Sequence, residues 1–318
     1  MPGRFILCTL LIFALSCGLI SGHVTWAQEP AKDKVQEEPT EINRVTSDNF
    51  ANFMRVHYDA NRRPTQLETS ITRYEVVDEN GEKISVDLIG VVHVGEQEYY
   101  EALNEQFKGY DATLYELVAP EGTRIPKGGR SEEEEAGFNP IAGLQLGMKS
   151  MLGLEFQLDH IDYMSEKLIH ADMSPDEFFE SMKNNEESFG RIFMNSIAQS
   201  MADPLRGQEA QADMILSLFS KNKTKRLRRM MAKQMLDMEG GMAIFNGKDG
   251  STIIDHRNAK VMEILKRELA NGHKSLAIFY GAGHLADMER RLMSDFQMKR
   301  SGRTWLTAWD LTGKSTEK

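Results

Sequence analysis

Two apolar runs that each end in Gly-x-x-His constrain the fold of this 318-residue chain more than any other feature. The first run leads into "GVVH" at residues 90–93, and the second leads into "GAGH" at residues 281–284. Short apolar runs bounded by turn residues are typical of buried strands. Ligands of open α/β sheets bind at the carboxyl ends of strands, so His93 and His284 are predicted to lie at such an edge.

The segments around the first histidine predict the rest of the sheet. Residues 67–77 and 83–92 alternate β-formers with polar residues, and Asn80-Gly81 between them predicts a type I′ hairpin turn. A helical pattern at residues 96–107 and a strand at 111–118 follow. Strand, helix and strand in this order favour a parallel arrangement. The predicted fold is therefore α/β, with a mixed central sheet flanked by helices.

The middle of the chain is predicted to be mostly helical. Residues 141–164 have helical spacing, and residues 167–171 form a third short strand. Ser174-Pro175-Asp176-Glu177 combines a cap, a first-position proline and a glutamate three residues after the cap, which is typical of a helix start. From there to about residue 245 the chain predicts a methionine-rich helical insertion between the two GxxH halves. Its methionines pack either the core of the insertion or a lid over a substrate.

The charge of the chain restricts its partners. The formal net charge of −10 argues against binding along a phosphate backbone, so no nucleic-acid partner is predicted. The basic run at residues 221–229 is predicted to be a solvated helix face, with contact to anionic lipid or to a partner as the alternative. A helix beginning after Asp255 as its cap is predicted to run through Ala270.

The beginning of the sequence has the pattern of a secretory signal. Arg4 gives a positive start, residues 5–20 are apolar, and small residues lead to a cleavage site after about Ala27. The protein is therefore expected to be secreted, or to lie in the periplasm or cell envelope. The alternative is a lipoprotein anchored through Cys17, which is the one route by which we expect membrane association.

The signal peptide is predicted to span residues 1–27. The chain that follows it is predicted to contain a linker and one domain, and it has no thiols. Residues 28–44 are charged and contain prolines, which is typical of a disordered linker, and residues 45–318 are predicted to form a single domain. Both cysteines, Cys8 and Cys17, lie within the signal. Disulfides and zinc-thiolate sites are thereby excluded from the mature domain, so a metal site would need His, Asp and Glu ligands.

A third polar residue belongs with the two histidines. Glu116 lies near the end of the strand predicted at residues 111–118, in an apolar run where a carboxylate is costly unless it is paired or bound to metal. Two imidazoles and a carboxylate form a suitable ligand set for a divalent ion that activates water. Such a site can hold Mn, Co, Zn or Fe. Read singly, His93 and His284 could each be structural, and Glu116 could point outward.

The motifs GVVH, "YEL" at residues 115–117, Arg257-Asn258 in "DHRNAKVM" and "GAGHL" occur in this order. This set resembles the TraB/PrgY/GumN family, which includes the Tiki-type metalloproteases and is related to erythromycin-esterase and ChaN-like proteins. The resemblance spans roughly residues 69–311 and has a divergent middle. It implies a metal-dependent, peptidase-like hydrolase acting on a peptide or a small ester or amide.

The resemblance also implies roles for individual residues. His93, His284 and Glu116 match the family's metal-site positions, with Glu116 as general base if it is not a ligand. Arg257 matches the family's arginine and would orient Glu116 or a substrate carboxylate, or stabilise an oxyanion. Asp172 and Asn258 are expected to contact these residues and hold them in position without contacting the metal. The alternative is a non-catalytic haem-binding or peptide-sequestering protein, since ChaN-like relatives bind haem. The sequence makes no prediction of oligomeric state.

Overall fold

A computed structural model of the protein describes residues 53–120, 122–123, 125–126, 151–184, 220, 222–241 and 252–313. The predicted signal peptide with Cys17, the predicted linker and the larger part of the insertion lie outside these residues. Within them, no helix is both long enough and apolar enough to cross a membrane.

The described strands and helices alternate along most of the chain. The strands are β1 (Met54–Tyr58), β2 (Pro64–Val77), β3 (Lys83–Val91), β4 (Val94–Gly95), β5 (Ala112–Tyr115), β6 (Glu155–Phe156), β7 (Leu168–His170), β8 (Ser275–Gly281) and β9 (Lys299–Asp310). The helices are α1 (Gln97–Phe107), α2 (Gln157–His160), α3 (Pro175–Asn184), α4 (Lys223–Gly241), α5 (Arg257–Ala270) and α6 (Leu285–Asp295).

Seven of these strands form one mixed sheet, as predicted. Strand β2 pairs antiparallel with β1, β3 and β9, whereas β3, β8, β5 and β7 lie side by side in parallel in that order. The strand predicted at residues 167–171 is confirmed as β7 at the end of this parallel part. Because parallel strands end at the same edge, the residues that follow β3, β5 and β8 are brought together.

Helices cover both faces of the parallel strands, so the fold has three layers. Side chains of β8 alternate between two buried clusters, as the period of two along a strand requires. Phe279 packs edge-on against Phe107 of α1, with ring centroids 4.9 Å apart. Ile278, on the other face, shares a buried cluster with Leu265 of α5 and Met288 of α6. Burial on both faces explains why β8 is continuously apolar rather than alternating.

The predicted hairpin is present, but its turn is not of type I′. A type I′ turn needs a positive φ at both central residues, but here Gly81 has a φ of 81° and the φ of Asn80 is not positive. The Gly81 N–H donates to the Asp78 carbonyl, and the Asp78 N–H donates to the Glu82 carbonyl. The carboxylate of Asp78 also accepts from the backbone amides of Asn80 and Glu82. These bonds favour a longer loop with one left-handed glycine over the two-residue turn.

The prediction of one helix over residues 141–164 agrees with the structure at Met151 and Leu152 but is wrong from Gly153 onward. Gly153, with φ 59°, is followed by the short strand β6, which pairs with β4. Only residues 157–160 are then helical, as α2. Pairing with β4, which immediately follows His93, outweighs the local helical spacing of this segment.

The helix start predicted at Ser174 is confirmed. The helix predicted to run through Ala270 is also present as α5, but the predicted cap, Asp255, is wrong. Ser174 and Glu177 form a capping box, in which Glu177 Oε2 accepts from the Ser174 amide at 2.7 Å and Ser174 Oγ accepts from the Glu177 amide at 3.2 Å. Asp255 does not cap α5, because a π-helical turn, Thr252–His256, runs directly into that helix. This turn places Arg257 at the first position of α5.

The basic run at residues 221–229 is not a uniformly solvated face. Arg226 is exposed as predicted, but only 1% of the Arg228 surface is accessible. Arg228 Nη1 contacts Glu96 Oε1 at 2.6 Å, and its guanidinium also donates to the carbonyls of Leu152, Gly153 and Asp310 at 2.7–3.0 Å. A buried guanidinium is tolerated when its donors are matched in this way. Arg228 thus ties α4 to the segment before β6.

Candidate active site

The three residues singled out by the sequence meet at the carboxyl edge of the parallel strands. His93 lies two residues after β3, and Glu116 directly follows β5. His284 ends a short 3₁₀ turn, Ala282–His284, that continues β8. The distance between His284 Nε2 and Glu116 Oε1 is 3.6 Å. The structure therefore places all three side chains around one site.

Gly281 leaves the space on which the three side chains converge. A Cβ atom on this residue would lie 3.2 Å from Glu116 Oε2, 3.8 Å from His284 Cδ2 and 3.9 Å from His93 Nε2. The Gly281 N–H donates to Glu116 Oε2 at 2.6 Å, which brings the carboxylate against the backbone. The two histidines and the glutamate thus lie around Gly281, where even a methyl group would crowd the Glu116 carboxylate.

Glu116 is held as a buried anion. Burial would raise the pKa of its carboxyl, but Arg257, the two histidines and the Gly281 amide together hold that pKa well below its usual range. Each oxygen already accepts a short hydrogen bond, one from Arg257 Nη2 and the other from Gly281, both at 2.6 Å. A carboxylate with so low a pKa is a weak proton acceptor, which favours a role as ligand or counter-charge over that of general base.

Arg257 joins Glu116 to a second buried carboxylate, that of Asp172. Its Nε and Nη2 donate to the two oxygens of Asp172 at 2.9 and 2.6 Å. Burial would lower the pKa of Arg257, but Asp172 and Glu116 raise it well above the usual value. Two carboxylates therefore share one guanidinium, which leaves an excess of one negative charge in a buried site. A bound cation would offset this charge.

His284 is kept neutral, with Nε2 directed into the site. Burial has the largest effect on its pKa and, together with Arg257, lowers it to about 4 in spite of Glu116. Asn258 Nδ2 donates to the His284 carbonyl at 3.0 Å and to Asp287 Oδ2 at 2.9 Å. Its Oδ1 therefore faces His284 Nδ1 at 2.8 Å, and that nitrogen must carry the proton. The lone pair of Nε2 then points toward Glu116.

His93 has an equivalent amide partner that the sequence did not predict. His93 Nδ1 lies 2.9 Å from Gln157 Oε1, and Gln157 Nε2 donates to the hydroxyl of Tyr163 at 2.7 Å. His93 therefore also bears its proton on Nδ1. Gln157 belongs to the segment predicted as a continuous helix, and no motif marks it, so the sequence carried no signal for this contact.

The other histidines near the sheet have partners of their own. His160 contacts Glu155 at 3.2 Å, and His170 Nε2 contacts the Leu117 carbonyl at 2.5 Å. His256 Nδ1 lies 2.7 Å from Ser181 Oγ. None of these three contacts involves Glu116, His93 or His284.

The donor types at the site, imidazole nitrogen and carboxylate oxygen, are those that divalent transition metals use in proteins. His93 and His284 each place Nε2 at the site, and Glu116 supplies an ionised carboxylate beside them. The Nδ1–H of each ring is held by a side-chain amide, which is the kind of outer support that metal-bound histidines have. Among the described residues, no group of three or more His, Cys, Asp or Glu side chains is placed so that it could hold a metal ion as it stands.

Comparison with known proteins found no match among family models, curated proteins or solved structures.

Proposed function

We propose that this protein is a metal-dependent hydrolase of amide or ester bonds, peptidase-like, acting outside the cytoplasm in the cell envelope or extracellular space. The observation that carries this proposal is the convergence of two imidazoles, of which that of His284 is held neutral, and one ionised carboxylate beside Gly281. The resemblance to the TraB/PrgY/GumN family, based on the residues of this same site, points to the same reaction class.

His93, His284 and Glu116 would hold the divalent ion, of which Mn, Co, Zn and Fe are all compatible with nitrogen and oxygen ligands. When bound, such an ion polarises a carbonyl and lowers the pKa of a water molecule. Glu116 supplies the negative charge of the ligand set. Asn258 fixes the His284 ring so that Nε2 faces that position.

Arg257 would act on both the site and the substrate. Its bidentate contact with Asp172 fixes the guanidinium plane, and Nη2 holds Glu116 in place. Nη1 makes only a long contact, 3.4 Å, with His284 Nε2. This donor faces the site and is suited to bind the oxygen of a substrate carbonyl as negative charge develops on it. The substrate class is a peptide or a small ester or amide.

The test is metal analysis combined with hydrolysis of a peptide and ester panel. The purified mature chain is loaded with Mn²⁺, Co²⁺, Zn²⁺ or Fe²⁺ and compared with His93→Ala, His284→Ala and Glu116→Gln. His57→Ala is the matched control, because the His57 side chain is exposed and contacts Thr65, away from the site. We expect about one ion per wild-type or control chain, together with hydrolysis that the site variants lose.

Unchanged metal content in both site-histidine variants would refute the metal site. Bound metal without hydrolysis of any amide or ester would refute the enzyme and favour a binding function. A haem absorption band in the purified mature chain would favour the haem-binding alternative instead.

A further inference from the structure

We infer that Gln157 is a positioning residue of the site, which fixes the tautomer and ring orientation of His93 so that Nε2 faces Glu116 and His284. The inference rests on the proposed function, since it assigns a task to a residue outside the ligand set. It also connects that site to the helical insertion through Arg228.

Two hydrogen bonds attach Gln157 to the same residue. Its backbone N–H donates to the His93 carbonyl at 3.0 Å, while its Oε1 accepts from His93 Nδ1 at 2.9 Å. A change in the position of Gln157 must therefore move the ring, the backbone, or both. The amide itself is oriented by the hydroxyl of Tyr163, which accepts from Nε2. Gln157 is 3% exposed, so water does not replace these partners.

The location of Gln157 depends on contacts on both sides of it. Immediately before it, β6 pairs with β4, so Phe156 is opposite Val94 and Glu155 is opposite Gly95. Further back, Arg228 of α4 binds the carbonyls of Leu152 and Gly153. This segment is thus fastened to the insertion at one end and to the residues after His93 at the other.

The arrangement matches that at the opposite side of the site. Asn258 accepts from Nδ1 of His284, and Gln157 accepts from Nδ1 of His93. A neutral imidazole with its proton on Nδ1 offers its lone pair only at Nε2. Two side-chain amides, on elements far apart in sequence, therefore give both histidines the same tautomer. This is the tautomer that binding through Nε2 requires.

The experiment measures the tautomer directly in the metal-free protein. Long-range ¹H–¹⁵N correlation spectra of histidine-labelled mature chain distinguish Nδ1–H from Nε2–H rings, and His93→Gln assigns the His93 signals. The variants are Gln157→Met, which removes the acceptor, and Gln157→Glu, which keeps it. Gln97→Met is the matched control, because Gln97 is likewise the first residue of its helix but is exposed and bonds only to Glu101.

We expect Nδ1–H at His93 in the wild type, in Gln97→Met and in Gln157→Glu, and a shift toward Nε2–H in Gln157→Met. The Zn²⁺ dissociation constant, measured by competition with a chelating dye, should rise about 10- to 100-fold in Gln157→Met and be largely restored in Gln157→Glu. Thermal unfolding verifies that each variant is folded.

An Nε2–H ring in the wild type, or an unchanged tautomer and Zn²⁺ affinity in folded Gln157→Met, would overturn the inference. Failure of the proposed function has a different signature, because the wild-type tautomer would be as expected while Zn²⁺ fails to bind or no substrate is cleaved.

Discussion

Replacement of Arg228 by methionine should destabilise the protein far more than its place in a basic run suggests. Methionine keeps much of the apolar stem but removes four hydrogen bonds, one to the carboxylate of Glu96 and three to backbone carbonyls. Each bond to a charged group contributes about 1.5–3 kcal/mol. The sum is not additive, and part of it is offset because the guanidinium is no longer desolvated. Loss of one partner of a buried ion pair typically costs about 3–5 kcal/mol, which is the decrease expected in the free energy of unfolding.

The assay is urea unfolding followed by the fluorescence of Trp305 and Trp309, of which Trp309 is fully buried. With a slope of about 3 kcal/mol per molar urea, Arg228→Met should lower the midpoint by about 1–2 M. Arg226→Met is the control, since Arg226 lies on the same helix but is exposed, and it should change stability by less than about 0.5 kcal/mol. Equal midpoints for the two variants would mean that the contacts of Arg228 contribute nothing net.

Three further substitutions test the site, the hairpin and one exposed carboxylate. Gly281→Ala should reduce Zn²⁺ affinity and hydrolysis about 10-fold, because the new Cβ would lie 3.2 Å from Glu116 Oε2. Gly302→Ala is the control, because a Cβ at that position meets nothing within 4 Å. Equal Zn²⁺ affinities of the two variants would contradict the reasoning. Gly81→Ala should cost about 1–2 kcal/mol in urea unfolding from its φ of 81° alone, since no atom lies within 4 Å of the new Cβ. The pKa of Asp111 is lowered by two backbone amides at the start of β8, so its stabilising effect is present at neutral pH and is lost as the pH falls through the folded-state pKa. The urea midpoint of Asp111→Asn should therefore be lower than that of the wild type at pH 7 but equal to it in acid. A difference in midpoint that does not change with pH would refute the role of the Asp111 charge.

The sheet and the main site groups could be predicted because each depends on local sequence. The apolar runs before His93 and His284 are long enough to indicate strands, and parallel order follows from the helices between them. Parallel strands then bring His93, Glu116 and His284 to one edge without further information. The placement of these three residues was therefore accessible from strand ends alone.

The supporting contacts could not be predicted in the same way, because they join distant parts of the chain. Gln157 is 64 residues from His93, and Arg228 is 132 residues from Glu96. Both residues are polar, so a local pattern assigns them to a surface. They are buried because tertiary neighbours satisfy their hydrogen bonds, a condition that only the folded chain reveals. The failed helix prediction around Gln157 has the same origin, since β6 exists only by pairing with β4.

The contacts of His284 lead to a test that distinguishes the two classes of ligand that the sequence left open, a divalent ion and haem. A haem bound through His284 would need a flat apolar surface beside Nε2. Instead, Arg257 Nη1 lies 3.4 Å and Glu116 Oε1 lies 3.6 Å from that nitrogen, and both groups are charged and buried. Haem binding would therefore require an axial ligand from another part of the chain, such as the methionine-rich insertion. Substitution of His93 or His284 should then leave haem binding intact while abolishing the binding of a divalent ion.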